Sequence, residues 1–288
     1  MLDCREGLIH IDRAINDAAS DSGAAMSRQP VLWSVDPRGV AAVTLDRPEV
    51  NNAYDAALIQ GLHEAMDDLG ARDGLRVVVL RGAGKHFQAG ADLKWIRGLA
   101  GQSAEENEHA SRATATAVQR LNMLPVPTVA LVQGGCFGGG TGIVAACDVA
   151  IAAEDAMFSI AETRWGLVAH IILPQLADAI GARQVRRYAL TGERFGAQEA
   201  RRIGLVHEVV ARAELEQAGE RIVAQLLQNA PQANAQTKAV ALELAWGSVD
   251  AALFDRLVAQ HAAKRRSAEA AEGLASFAEK RPARWHPG

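Results

Sequence analysis

The sequence predicts an α/β fold in which much of the sheet is parallel. Three short apolar runs, RVVVLRG (76–82), PTVALVQG (127–134) and DVAIAA (148–153), are typical of buried strands. Helical segments separate them, and strands that alternate with helices indicate parallel pairing through crossover connections. After about residue 212 only helical patterns remain, so the chain should end in a helical region.

The first elements of the fold follow from residue 31 onward. VLWSVD (31–36) and GVAAVTLD (39–46) are predicted to form two strands around a Pro-Arg-Gly turn. A helix is expected from about Asp55, because four apolar residues then recur at helical spacing. These residues are Leu58, Leu62, Met66 and Leu69.

Later helices have start signals and apolar stripes of their own. Ser103 and Glu106 have the spacing of a capping box, which predicts a helix from there to about Leu124. In the C-terminal region, one helix should follow Pro231, and two more should fill 248–279. One apolar stripe precedes them, formed by Leu215, Ala218, Ile222 and Leu226.

Composition excludes several classes of protein. A net charge of −4 over 288 residues provides no basic footprint for nucleic acid, so we expect no nucleic-acid partner. No apolar run approaches membrane-spanning length, so we expect no membrane partner. Three cysteines without metal-ligand spacing argue against a disulfide framework and a zinc site. These features favour a reducing, cytoplasmic location and no bound metal.

The chain divides into three regions. Residues 1–29 mix acids with arginines and lack a signal-peptide apolar segment, so we expect a flexible extension there. The alternative for this extension is a short helix that docks on a neighbouring molecule. Residues 30–211 should form the α/β core, and residues 212–288 the helical region.

Two segments, 78–96 and 129–148, share one form: a buried strand, a glycine-bearing loop and a helix start. The second contains GGCFGGGTG (134–142), where glycines let the main chain approach another group closely. Two backbone N–H groups aimed at one point would form an oxyanion hole, assisted by the helix dipole. A phosphate site or close helix packing would explain the glycines equally well.

Five ordered motifs resemble the crotonase (enoyl-CoA hydratase/isomerase) superfamily, and together they cover about residues 31–285. The motifs are LDRPEVNNAY (45–54), HFQAGADLKWI (86–96), GGCFGGGTGIVAACDVAIAAEDAMFSIAET (134–163), GLVHEVV (204–210) and FAEKRPARW (277–285).

The resemblance implies an α/β fold with a crotonase-like spiral core of ββα turns. It also implies C-terminal helices that mediate trimer contacts, in a homotrimer or a dimer of trimers. The expected substrate is an acyl-CoA, and no separate cofactor is expected because coenzyme A is part of the substrate.

At the reacting centre, the resemblance assigns Ala91 and Gly139 as the two N–H donors for the thioester oxygen. Glu162 stands at one of the family's two catalytic carboxylate positions, whereas Gly142 stands at the other. A glutamate beside an apolar segment should have a raised pKa, which suits proton transfer. The alternative for Glu162 is a surface salt bridge.

The resemblance also places the CoA along the 87–92 loop and near Arg47 and Glu49. Lys280 resembles a residue that reaches a CoA phosphate on a neighbouring subunit, although a solvated lysine is equally consistent with its position. The further candidate substrate- or CoA-binding residues are Gln88, Ala89, Asp92, Leu93, Trp95, Gly138, Gly142, Trp165 and His170.

One carboxylate in place of two leaves the reaction type open. A single glutamate can hold a water and return its proton to the α-carbon, which would give a hydratase. It can also move a proton between two carbons, which would give an isomerase. GGGTGIV (138–144) resembles the methylglutaconyl-CoA and isohexenylglutaconyl-CoA hydratase branch, whose substrates belong to leucine or acyclic terpene breakdown. A non-catalytic CoA- or RNA-binding homologue is the third hypothesis, which the acidic balance disfavours.

The segment GLVAHIILPQL (166–176) departs from the family pattern of a proline and small residues. His170 and the bulky Ile171 and Ile172 therefore predict an altered acyl pocket, and His170 could bind a carboxylate or carry a proton. Arg97 and Arg164 are further candidates for a distal substrate carboxylate. Trp95 and Trp165 are expected to line the pocket or the core.

Overall fold

The computed structural model describes residues 29–247 and 250–287, so almost all of the N-terminal extension lies outside the described residues. Its main sheet has six strands in the order β1-β2-β3-β4-β6-β9. These are β1 (Val31–Val35), β2 (Val40–Leu45), β3 (Val77–Gly82), β4 (Thr128–Val132), β6 (Val149–Ala153) and β9 (Glu208–Val210). Only the β1–β2 pair is antiparallel, as the predicted turn between them requires.

A smaller sheet of three strands lies beside the candidate site. It comprises β5 (Gly135–Phe137), β7 (Met157–Ser159) and β8 (Phe195–Gly196). β5 and β7 pair in parallel, whereas β7 and β8 pair antiparallel. Each of β4 and β6 is therefore followed by a short strand of the second sheet and then by helical structure.

Ten helices cover the sheets within the described residues. They are α1 (Ala56–Gly70), α2 (Leu93–Ala100), α3 (Ala104–Asn122), α4 (Gly139–Ala146), α5 (Leu173–Thr191), α6 (Ala197–Ile203), α7 (Leu215–Gln228), α8 (Pro231–Trp246), α9 (Ala251–Arg265) and α10 (Ala268–Glu279). Short 3₁₀ helices span Pro48–Val50, Glu162–Trp165 and Arg212–Glu214. None of these helices is both long and apolar enough to cross a membrane.

The main sheet is buried on both faces, because alternate side chains of its strands enter two different apolar clusters. In β4, Ala130 and Val132 enter the larger cluster, whereas Val129 and Leu131 enter the smaller one. Helix α7 covers the smaller cluster with Leu215, Ala218, Val223 and Leu227. This two-sided burial explains why the inner strands are continuous apolar runs.

The predicted helix starts are confirmed. Asp55 caps α1 by accepting a hydrogen bond from the Leu58 N–H at 3.0 Å. Ser103 and Glu106 form a reciprocal capping box at the start of α3. The strand predicted over 127–134 is shorter, and the glycine-rich residues after it form the separate strand β5.

The C-terminal helical region is fixed to the core by an ion pair whose lysine is buried. Lys238 of α8 lies with its Nζ 2.8 Å from Asp148 Oδ2, and it also donates to the Val126 carbonyl at 3.1 Å. Asp148 in turn accepts from both the N–H and the hydroxyl of Thr128. A buried charge with these partners ties α8 to the ends of β4 and β6.

Candidate active site

Parallel pairing of β5 with β7 brings two distant segments to one edge of the smaller sheet. Phe137 pairs with Ser159 at the carboxyl ends of these strands. The next residue, Gly138, donates its N–H to the Ser159 carbonyl at 2.9 Å. Glu162 begins a 3₁₀ helix three residues after β7, so its carboxylate can reach the glycines that follow β5.

The loop before α2 lies against the same glycine-rich segment. Gln88 donates its N–H to the Gly135 carbonyl at 3.1 Å and accepts from the Phe137 N–H at 2.9 Å. Gly90 has φ 89° and lies beside the Phe137 carbonyl. These contacts hold the loop that carries Ala91 next to the start of α4.

Two backbone donors remain available at this junction. Ala91 forms a parallel bridge with Tyr54, but the bridge uses the N–H groups of Tyr54 and Asp92. Gly139 is the first residue of α4, where an N–H has no partner within its own helix. Neither the Ala91 nor the Gly139 N–H has an acceptor within residues 29–247 and 250–287. The positive end of the α4 dipole lies at Gly139 and favours a negative ligand oxygen there.

Glu162 is half-buried, and it forms no ion pair with any described residue. Its Oε2 is buried without a hydrogen-bond partner in the described chain. Burial raises the pKa of this carboxyl above its ordinary value near 4.5. A buried carboxylate oxygen without a hydrogen-bond partner is available to exchange protons with a ligand.

Gly138 permits the close approach of this carboxylate. A Cβ at this position would lie 2.8 Å from Glu162 Oε1. Its φ of 50° with ψ of −119° is also a conformation that residues with side chains avoid. Both the backbone turn and the carboxylate contact therefore require glycine here.

Gly142 has a different neighbour. A Cβ there would lie 2.2 Å from Cγ2 and 2.5 Å from Cβ of Ile172, whose side chain is 2% exposed. The bulky residue in the unusual segment after Gly166 therefore packs directly over the helix position that lacks a carboxylate. In this chain an aliphatic side chain fills the space beside Gly142, and one side of the site is apolar.

Comparison with known proteins decides the family. The enoyl-CoA hydratase/isomerase family profile matches residues 36–287. This chain belongs to that family. Its members act on CoA thioesters, and hydratases are the most frequent activity among the relatives.

Relatives and a solved structure of this family match over most of the chain. Hydroxycinnamoyl-CoA hydratase-lyase of Pseudomonas fluorescens is 36% identical over 196 residues, covering 67% of this chain and 71% of that protein. The mitochondrial Δ(3,5)-Δ(2,4)-dienoyl-CoA isomerase of Dictyostelium discoideum is 30% identical over 256 residues, covering 85% and 87%. The crystal structure of an enoyl-CoA hydratase from Shewanella pealeana superimposes with a TM-score of 0.85 at 35% identity, covering 89% and 96%. The predicted crotonase fold is thereby confirmed.

One residue that lies beside the candidate site was missed by the sequence analysis. Tyr54 lies against Gly139, where a Cβ would be 2.5 Å from its Cε1. Its ring also meets Trp95 edge-on, with the centroids 5.7 Å apart and an interplanar angle of 69°. The available signal was that the first motif, LDRPEVNNAY (45–54), ends in a hydroxyl-bearing aromatic residue.

Several predicted binding residues have structural partners in the family fold. The Gln88 side chain is fully buried, with Oε1 and Nε2 both bound to the backbone of Gly90, so it shapes the loop. Asp92 caps α2 by accepting from the N–H groups of Lys94 and Trp95. The Arg47 guanidinium binds the Ala53 carbonyl at 2.7 Å and lies 2.9 Å from Asp55 Oδ2.

Other predicted residues lie on the surface. Leu93 is 62% and Trp165 71% exposed, so Trp165 is not part of the core of this chain. Ala89, in the loop before α2, is half-buried. The remaining exposed candidates are Glu49, Arg97, Arg164, His170 and Lys280. Of the three residues that predicted an altered pocket, Ile172 contacts the glycine segment, at Gly142, whereas His170 is exposed.

Proposed function

We propose that this chain is an acyl-CoA hydratase that adds water to a 3-branched glutaconyl-CoA. Glu162 is its single proton-transferring carboxylate, and the N–H groups of Ala91 and Gly139 form its oxyanion hole. The observation that carries the proposal is the buried, unpartnered Oε2 of Glu162 beside the free donors at the start of α4. That combination supplies a base and an anion-stabilising group at one place.

The proton transfers balance on one carboxylate. Ionised Glu162 accepts a proton from water as the water oxygen bonds to C3 of the enoyl thioester. The electrons of the double bond move to the thioester oxygen, where the Ala91 and Gly139 N–H groups stabilise the enolate. Glu162 then returns its proton to C2, which regenerates the carboxylate and yields the 3-hydroxyacyl-CoA. Its raised pKa suits both transfers near neutral pH.

The substrate class rests on the resemblance of GGGTGIV (138–144) to the methylglutaconyl- and isohexenylglutaconyl-CoA hydratase branch. Ile172 over Gly142 adds support, because an apolar wall beside the reacting centre favours a branched acyl chain. Exposed Arg97, Arg164 and His170 are the candidates for the second carboxylate of such a substrate. Leucine or acyclic terpene breakdown would use this reaction.

Assembly as a homotrimer or a dimer of trimers is part of the proposal. The last two helices expose large apolar side chains, which a subunit interface would cover. Phe277 is 87% exposed and Leu274 69%, both on α10, and Phe254 is 59% exposed on α9. Lys280 follows directly after α10 and would then reach a CoA phosphate in the neighbouring subunit.

An enoyl-CoA isomerase is the second candidate function. The observation that favours it is the filled space at Gly142, which leaves one proton carrier and no second carboxylate to hold water. Glu162 would then remove a proton from one carbon of the acyl chain and return it to another. Product analysis separates the two reactions, because only the hydratase increases the product mass by one water.

The test incubates the purified protein with 3-methylglutaconyl-CoA and isohexenylglutaconyl-CoA, and follows the conjugated thioester absorbance and product mass. We expect hydration of at least one substrate, and a loss of about 10²- to 10⁴-fold in kcat/KM for Glu162→Gln. The ratio of kcat/KM between the substrates identifies the acyl chain. Double-bond migration without added water would establish the isomerase and reject the hydratase.

A further inference from the structure

Tyr54 is tied to both proposed oxyanion donors. Its backbone N–H donates to the Gly90 carbonyl at 2.9 Å, and its carbonyl accepts from the Asp92 N–H at 2.8 Å, on either side of Ala91. Its ring edge covers Gly139, where a Cβ would lie 2.5 Å from Cε1 and 3.3 Å from Cζ. Since Cζ carries the hydroxyl, the phenol group lies close to Gly139, the first residue of α4.

The same ring is close to the catalytic carboxylate. Gly138 contacts Glu162 and Gly139 contacts Tyr54, so the two side chains flank consecutive residues of the main chain. The negative charge of Glu162 acts on the Tyr54 hydroxyl as well. The phenol and the carboxylate therefore border the same small volume.

The Tyr54 hydroxyl has no hydrogen-bond partner among the described residues. The other tyrosine of the chain, Tyr188, is fully buried and donates its hydroxyl to Glu199. A half-buried phenol without a protein partner, placed between candidate catalytic groups, is available to a ligand.

Tyr54 must act as a donor in its neutral form. Burial, followed by the charge of Glu162, raises the pKa of this phenol to about 12. At neutral pH the hydroxyl keeps its proton, so it can donate to an oxygen that gains negative charge. It cannot serve as a general base under those conditions.

We propose that the Tyr54 hydroxyl is a third hydrogen-bond donor to the thioester oxygen of the bound acyl-CoA, beside the N–H groups of Ala91 and Gly139. This inference rests on the proposed function, because it uses the same oxyanion hole. The donor stabilises the enolate that forms when either a water or a proton carrier reacts with the acyl chain. Tyr54 is thus a catalytic residue that adds electrostatic stabilisation where a second carboxylate is absent.

The test compares Tyr54→Phe with Tyr188→Phe as the matched control. Phenylalanine keeps the aromatic ring, which at position 54 packs on Gly139 and Trp95, so each variant loses only the hydroxyl. We expect Tyr54→Phe to lower kcat about 100-fold with KM changed less than about threefold. Tyr188→Phe should keep kcat within about twofold of the wild type, because Glu199 also pairs with Arg202 away from the site.

A spectroscopic measurement reads the hydrogen bond without turnover. The infrared carbonyl band of butanoyl-CoA labelled with ¹³C at C1 should move to lower wavenumber on binding, and Tyr54→Phe should reverse part of that shift. Butanoyl-CoA has no double bond to hydrate, so this readout stays valid even if the wild type hydrates neither glutaconyl-CoA. A carbonyl band in Tyr54→Phe identical to the wild-type band would overturn the inference, whatever the reaction proves to be.

Discussion

Gly138 and Gly142 lie four residues apart at the start of one helix, yet their surroundings differ completely. Beside Gly138 lies the carboxylate of Glu162, and beside Gly142 lies the aliphatic side chain of Ile172. Both contacts are too close for a Cβ, at 2.8 Å and 2.2 Å. Both glycines therefore leave room for a neighbouring side chain, which is charged at Gly138 and apolar at Gly142.

The difference shows how one helix start can have a polar and an apolar side. On the Gly138 side, the carboxylate of Glu162 lies close to the backbone donors that we propose as an oxyanion hole. On the Gly142 side, Ile172 packs too closely against the helix to leave room for a side chain. The single-glutamate site that we propose is thus matched by the core packing at Gly142.

The largest effect on catalysis should come from adding a Cβ at Gly138. Gly138→Ala would place its methyl group 2.8 Å from Glu162 Oε1, inside ordinary van der Waals distance, and displace the carboxylate. Because a misplacement of about 1 Å can cost about 100-fold in rate, we expect kcat/KM to fall by about 10- to 100-fold. Steady-state kinetics with the acyl-CoA that the wild type converts provide the measurement.

Gly74→Ala separates this effect from backbone strain. Gly74 also has a positive φ, 78°, but a Cβ there would meet nothing within 4 Å. It should lose stability while keeping its kcat/KM within about twofold. Equal kinetic losses in the two variants would show that the Gly138 contact with Glu162 does not matter for catalysis.

On the apolar side, substitutions at Gly142 and Ile172 should have coupled effects on the free energy of unfolding. Gly142→Ala overpacks the contact with Ile172, at about 1–3 kcal/mol. Ile172→Gly leaves a cavity, at about 3–5 kcal/mol. Together they should cost about 1–3 kcal/mol less than their sum, because each relieves the other. Ile172→Ala is not sufficient, since its remaining Cβ would lie 2.5 Å from the new methyl group.

Denaturant unfolding of the four proteins in this cycle measures the coupling. Gly70→Ala combined with Ile172→Gly is the matched control, because a Cβ at Gly70 would meet nothing within 4 Å. Those two changes should be additive within about 0.5 kcal/mol. Additive costs for Gly142 and Ile172 would mean that the helix relaxes around the added methyl group.

Sequence reasoning predicted the fold around the polar side well, because its signals are local. The buried strands, the capping residues Asp55 and Ser103 and the motif that carries Glu162 are each contained in short runs. Strand β5 was missed, since glycines are rare in strands and GGCF resembles a loop. Its pairing with β7 supplies order that its own composition does not indicate.

The apolar side could not be predicted in the same way. Ile172 was recognised as unusual, but its partner Gly142 lies thirty positions earlier and meets it only after α4 and α5 pack together. Tyr54 escaped notice for a similar reason. Its neighbours Gly139 and Trp95 come from two other segments, and no spacing rule along the chain connects the three.

The smallest expected effect is on the free energy of unfolding, which the buried carboxylate of Glu162 should lower at neutral pH. Because burial raises the pKa of Glu162 in the folded protein, the folded state binds this proton more tightly than the unfolded state. Stability therefore falls as the pH rises from about 4.5 through the folded-state pKa, where the carboxyl ionises. Glu162→Gln removes this cost. We therefore expect the free energy of unfolding of the variant to be about 0.5–1 kcal/mol higher than that of the wild type at pH 7.

Below pH 4.5 the advantage of the variant should disappear, because a protonated glutamate and a glutamine are both neutral and similar in shape. Urea unfolding at pH 4 and pH 7 provides the measurement, with Glu154→Gln at an exposed position as the control. The control should show no difference between the two pH values relative to the wild type. A Glu162→Gln protein that is less stable than the wild type at pH 7 would mean that the carboxylate stabilises the fold, and its assignment as a free proton carrier would be wrong.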